Sequence, residues 1–247
     1  MPRRVVLTIV LVLIPLLSWA WIVALARDMY GPMTGASAWM MTSQWDTVRL
    51  LLLWAMWAVM MAAMMLPSAS PVLMLYSAAA RRRGETSGQP LHVFALAAGY
   101  VAVWALFSVG AVALQRILSM LLVLSPMMEV TTRRAGGVIL IVAGAYQLTP
   151  MKWACLQTCR SPLVFLTERW REGRGGAFQM GAEHGMYCVG CCWALMLLLF
   201  VSGVMNLLAI VTITALVAVE KLTPFGAQGA RISGVLMIAI GVWMIAV

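Results

Sequence analysis

The stretch Trp54-Ala-Met-Trp-Ala-Val-Met-Met-Ala-Ala-Met-Met-Leu-Pro67 continues an apolar run that begins after Arg49, and nothing between Leu50 and Leu66 carries a charge. Its length approaches the roughly 20 apolar residues that cross a hydrocarbon core about 30 Å thick. A helix satisfies its own backbone hydrogen bonds there, so residues 48–66 read as a membrane-spanning helix. Met56, Met60 and Met64 recur at i, i+4 and i+8 and share a face, with Met61 and Met65 beside them. Pro67 and Pro71 each remove a backbone donor, which predicts a break at mid-membrane before a continuation toward residue 80.

The rest of the chain has the same character. Of its 247 residues, 63% are hydrophobic and 10% charged, outside the range of soluble globular proteins. Further apolar runs at 5–26, 92–114, 134–149, 178–203, 205–220 and 229–247 predict an all-α, polytopic transmembrane helix bundle of about seven spans, in one integral membrane domain over 1–247. Ala24-Leu25-Ala26 imitates a signal-peptidase site, but the apolar stretch before it exceeds an ordinary signal core and is read as a retained first helix.

Orientation follows from the basic residues of the short loops. A cytoplasmic N-terminus places Arg3, Arg4, Arg81, Arg82, Arg83, Lys152, Arg160, Arg169, Arg171, Arg174, Lys221 and Arg231 inside, and leaves Arg27, Arg49, Arg116, Arg133 and Arg134 outside. Counting the apolar stretch Ile117–Val130 as a further span would reverse this bias. That stretch, interrupted by Ser125-Pro126, is therefore read as interfacial or re-entrant. The net charge of +9 reads as topology signal and contact with anionic lipid, without the aromatic-basic pattern of a nucleic-acid binder. The expected setting is a cytoplasmic membrane.

All five cysteines lie in the second half of the chain. In Gly181-Ala-Glu-His-Gly-Met-Tyr-Cys-Val-Gly-Cys-Cys-Trp193, a helix puts His184, Cys188, Cys191 and Cys192 on one face. Thr149-Pro150 reads as an N-cap with proline at the first helical position, starting a short helix on which Cys155 and Cys159 point the same way. A basic segment from Ser161-Pro162 to about Glu172 follows, ended by the Gly173-Arg-Gly-Gly176 loop. On a reducing face an odd number of cysteines argues against structural disulfides. Cys155 and Cys159 with Cys188 and Cys191 or Cys192, completed by His184, would suit Cu(I) or Zn(II).

Two features complicate that reading. Gly181 and Gly185 form a GxxxG pair, and Cys188, Gly190 and Cys192 extend a small-residue seam that serves helix packing equally well. A regular helix starting near Phe178 also carries Cys188 ~15 Å into the membrane, whereas Cys155 is expected near the surface. Either 150–160 re-enters the membrane or 181–190 departs from regular helix. Glu220 beside Lys221 reads as a boundary pair, and Glu183 has no assigned role.

Thioethers are neutral soft ligands that favour Cu(I), so the methionine line running toward the thiols makes a copper path plausible on ligand chemistry. Three functions stay open: Cu(I) binding and transport from the outer face to a cytoplasmic-side Cys/His site; transmembrane thiol-disulfide exchange; or a metal-holding subunit or assembly factor of a larger membrane complex. Expected partners are the bilayer, a soluble metallochaperone or a membrane complex, and a further copy of the chain. No catalytic residues, nucleotide-binding loop or phosphorylated aspartate motif are read.

Three segments carry a family resemblance. Trp57-Ala-Val-Met-Met-Ala-Ala-Met-Met-Leu-Pro-Ser-Ala69, Tyr146-Gln-Leu-Thr-Pro-Met-Lys-Trp-Ala-Cys-Leu-Gln-Thr-Cys-Arg-Ser-Pro162 and His184-Gly-Met-Tyr-Cys-Val-Gly-Cys-Cys-Trp-Ala194, with Gly203-Val-Met-Asn206 and Glu220-Lys221, resemble a bacterial family of predicted metal-binding integral membrane proteins, domain of unknown function 2182. The resemblance implies a polytopic membrane fold and a metal site at Cys155, Cys159, His184, Cys188, Cys191 and Cys192.

Overall fold

Apolar helices linked by short capped turns make up the computed structural model, which describes residues 3–41, 44–83, 89–125 and 127–247. Pro126 and the side chains of Arg3 and Arg4, used above for the loop and the topology, lie outside the described residues.

The first helix runs through α1 (Arg3–Thr8), a π-helical turn at Ile9–Leu13 and α2 (Ile14–Met29). After the short α3 (Ala36–Met40), Asp46 caps α4 (Thr47–Met65) by accepting from the Arg49 amide at 2.8 Å. The break expected at Pro67 is present. A 3-10 turn over Pro67–Ala69 interrupts the helix, and α5 (Ser70–Arg82) resumes with Pro71 in its first turn, where a missing N–H costs little.

The third helix, α6 (Gln89–Met120), is longer at both ends than the expected 92–114. Part of the Ile117–Val130 stretch simply extends it, and the remainder folds back in a turn closed by a Leu124–Val130 bridge, which the Val130 amide ties to the Phe200 carbonyl at 2.8 Å. Thr132 caps α7 (Arg133–Gln147). Thr149 caps α8 (Pro150–Arg160) as expected, accepting from the Lys152 amide at 3.3 Å.

After α9 (Pro162–Glu168) the structure corrects one expectation. Gly173-Arg-Gly-Gly176 is the first turn of α10 (Gly173–Met196), not a loop before it. Gly173 turns the chain at φ +72, and Gly176 lies so close to the Arg171 backbone that a Cβ there would collide with it. Then come α11 (Leu198–Ser202), α12 (Leu207–Leu222) capped by Asn206, and α13 (Gly226–Ala246). No strand occurs among the described residues.

Five described helices are long and apolar enough to cross a membrane: Val5–Met29, Thr47–Met65, Pro90–Met120, Gly173–Ser202 and Gly226–Ala246. α7 with α8, bent by 63°, makes a sixth if the pair is one span. The stretches expected at 134–149 and 205–220 are helical but short, at 15 and 16 residues. This is an all-helical architecture consistent with a membrane protein.

Glycines decide the closest helix pairs. A Cβ on Gly181 would overlap the Leu96 carbonyl, so α10 approaches the α6 backbone directly, as the GxxxG reading expected. α7 and α13 meet in the same manner at Gly137 and Gly241. α10 is thereby held between α6 and α8, with the broken α4–α5 segment near its centre.

Candidate metal centre

The thiols occupy the middle of α10, which is regular helix throughout 181–190. Cys188, Cys191 and Cys192 are 0–1% exposed. That helix does not unwind, and the partner helix α8 leaves α7 at a 63° bend and packs against α10.

This packing separates the two cysteines of α8. Cys159 Sγ lies 3.9 Å from Cys191 Sγ, which in turn lies 3.2 Å from Cys192 Sγ. Cys155 instead packs on Gly190, where a Cβ would come within 2.6 Å of its sulfur, and Tyr146 donates to the Gly190 carbonyl at 2.5 Å. Zinc–thiolate bonds of about 2.3 Å set sulfurs in a tetrahedral shell roughly 3.8 Å apart, near the Cys159–Cys191 spacing. Among the described residues no three His, Cys, Asp or Glu side chains are arranged to hold an ion as they stand. What the geometry offers is thiol pairs, and soft thiolates are the ligands that select Cu(I) or zinc.

His184, one turn before Cys188, is 4% exposed. Its ring lies 5.9 Å from that of Tyr100 and 5.1 Å from that of Phe165, and its Nδ1 is buried without a hydrogen-bond partner. Buried polar atoms are normally paired, so an imidazole nitrogen left without a partner one turn before Cys188 is a natural ligand atom.

Cys188 has a different set of neighbours, which sequence reasoning missed. Lys221 Nζ lies 2.7 Å from Cys188 Sγ and 3.2 Å from Ser68 Oγ. The Tyr100 hydroxyl is 2.9 Å from the same sulfur and 3.1 Å from the Met65 carbonyl. Ser68 belongs to the Pro67–Ala69 turn, so the helix break supplies a polar wall to the thiols. The five candidate methionines, Met56, Met60, Met61, Met64 and Met65, are all 0–1% exposed, and the backbone of Met65 joins the end of their line to the site through Tyr100.

Glu220 and Lys221 are not a boundary pair. Glu220 bonds Lys152 Nζ at 2.6 Å and Gln147 Nε2 at 2.7 Å, while Lys152 also donates to Gln147. Consecutive residues on a helix project about 100° apart, which sends these two charges into different clusters. Their signal in the sequence was a Glu-Lys step at the end of an uncharged helix. Glu183 faces outward to Arg169 at 2.6 Å and to Arg171 at 3.8 Å.

A family model for PpoB2, described as a copper chaperone, matches residues 54–244. The chain belongs to this copper chaperone family. The match runs from the methionine helix through α13 and contains every candidate ligand named above. It bears out the metal-related part of the resemblance, under a name other than domain of unknown function 2182. No curated protein and no solved structure matches the chain.

Proposed function

We propose that the protein binds Cu(I) within the membrane and hands it on, receiving the ion past the methionine face of α4 and holding it on the thiols of α8 and α10. The observation that carries this reading is the approach of Cys159, from one helix, to Cys191 and Cys192 of another, with the open His184 nitrogen one turn away. Thiols presented by two helices, without the closed four-ligand shell of a structural zinc site among the described residues, suit transient holding better than permanent structure. Cys159, His184, Cys188, Cys191 and Cys192 are the ligands proposed to hold the ion, with Cys155, at the Gly190 contact, meeting it only in transfer and Met56, Met60, Met61, Met64 and Met65 as the approach.

The setting proposed for this activity is a single seven-span domain in a bacterial inner membrane, with the N-terminus in the cytoplasm, as the distribution of basic loop residues supports. The thiols then open toward the cytoplasmic side, where a soluble metallochaperone or a copper enzyme of the membrane would exchange the ion. The copper chaperone description favours delivery to a partner, as by an assembly factor, over bulk transport.

Copper analysis of protein purified under reducing conditions from copper-fed cells tests the reading. Near-stoichiometric copper, lost in a Cys159→Ser, Cys191→Ser, Cys192→Ser variant, is expected. Copper-free native protein, or equal copper in the variant, would overturn it.

A further inference from the structure

Lys221 is 7% exposed, and its ammonium bonds the sulfur of Cys188 and the hydroxyl of Ser68, with no ion pair to a carboxylate among the described residues. The other buried lysine, Lys152, has its carboxylate in Glu220. A charge within a membrane bundle is expensive and persists where it has a partner or a task. The partner here is a ligand sulfur.

We propose that Lys221 is a specificity-determining residue, the fixed cation that fits the thiol site to a singly charged soft ion. The inference rests on the copper reading above and concerns the charge of the same site. The structure offers thiol pairs. A monovalent ion seated between two thiolates leaves a net charge of minus one, which the ammonium cancels. A divalent ion in the same seat leaves the pair neutral and the ammonium uncompensated, with a like charge close by in surroundings of low dielectric. Zinc would recover balance only by recruiting another thiolate into a closed tetrahedral shell, and that convergence is not preformed among the described residues. Tyr100 also bonds Cys188, at 2.9 Å, without adding charge, so among the described residues Lys221 is the cation bonded to this sulfur.

The test uses full-length protein in detergent under reducing conditions, with Cu(I), Ag(I) and Zn(II) each titrated against a chelator of known affinity. Lys221→Gln keeps a donor on a side chain one bond shorter and removes the charge, while Lys221→Arg keeps the charge. The Gln variant is expected to lose about ten- to a hundredfold in Cu(I) and Ag(I) affinity, the usual range for groups that support metal ligands, and to gain on Zn(II). The Arg variant is expected to keep the native order. Lys221→Met, with a folded elution profile and circular dichroism, serves where the Gln variant does not fold. Unchanged selectivity in a folded uncharged variant overturns the role of Lys221 and leaves the copper site standing. Native protein that binds neither Cu(I) nor Ag(I) overturns both.

Discussion

Lys152 and Glu220 form a 2.6 Å salt bridge in which each side chain is 1% exposed, joining α8 to α12. Arg160 adds bonds to the carbonyls of Glu220 at 2.9 Å and Pro224 at 3.2 Å. α8 carries Cys159, so these contacts anchor the helix that brings the fourth thiol to α10.

Removing one partner of this buried pair strands the other charge, at a typical cost of about 3–5 kcal/mol. Glu220→Gln should therefore lower the unfolding midpoint in detergent sharply. Lys152→Met with Glu220→Met should recover most of the loss, because no isolated charge remains. A double variant no more stable than Glu220→Gln would show that the pair contributes more than mutual neutralisation.

The two cysteines of α8 should separate by experiment as they do in space. Cys159→Ser removes a sulfur 3.9 Å from Cys191 and should reduce bound copper. Cys155→Ser, at the Gly190 contact, should leave it near the native level. Gly190→Ala overpacks the Cys155 contact, and such changes typically cost about 1–3 kcal/mol. Metal analysis of the three proteins and their thermal unfolding check these outcomes, and equal copper loss in both serine variants would contradict the separation.

Much of the fold was legible because bilayer physics leaves few options. Apolar length marked the helices, Pro67 and Pro71 marked the break, and Thr149-Pro150 marked a cap, all local features. The contents of the thiol site were less legible. Cys191 and Cys192 could be named from their helix, but which α8 cysteine reaches them depends on the 63° bend, a tertiary property. Lys221, Tyr100 and Ser68 come from three separate segments and converge on Cys188 only after packing. The Gly173–Gly176 expectation failed because glycine is common both in loops and where backbones approach closely.

Tyr100→Phe deletes the hydroxyl that bridges the Met65 carbonyl and Cys188 Sγ while keeping the ring against His184. A lost hydrogen bond of this kind costs about 1 kcal/mol. Folding should change little, while copper affinity should fall as Cys188 loses a polar partner. Competition with a Cu(I) chelator reads the effect, and an affinity equal to native would separate Tyr100 from the site.

His184→Phe preserves an aromatic ring between Tyr100 and Phe165 and removes the buried Nδ1. The variant should fold at least as stably as the native protein, since an unpartnered polar atom is deleted. It should also retain copper less well against a competing chelator. Lower stability together with unchanged copper retention would assign His184 to packing alone.

The central claim is that the ion rests on the clustered thiols, and X-ray absorption at the copper edge of Cu(I)-loaded protein tests it most directly. The account predicts a shell dominated by sulfur, lost when Cys159, Cys191 and Cys192 are replaced by serine. A shell of nitrogen and oxygen only, or a sulfur shell that survives in that variant, would contradict it.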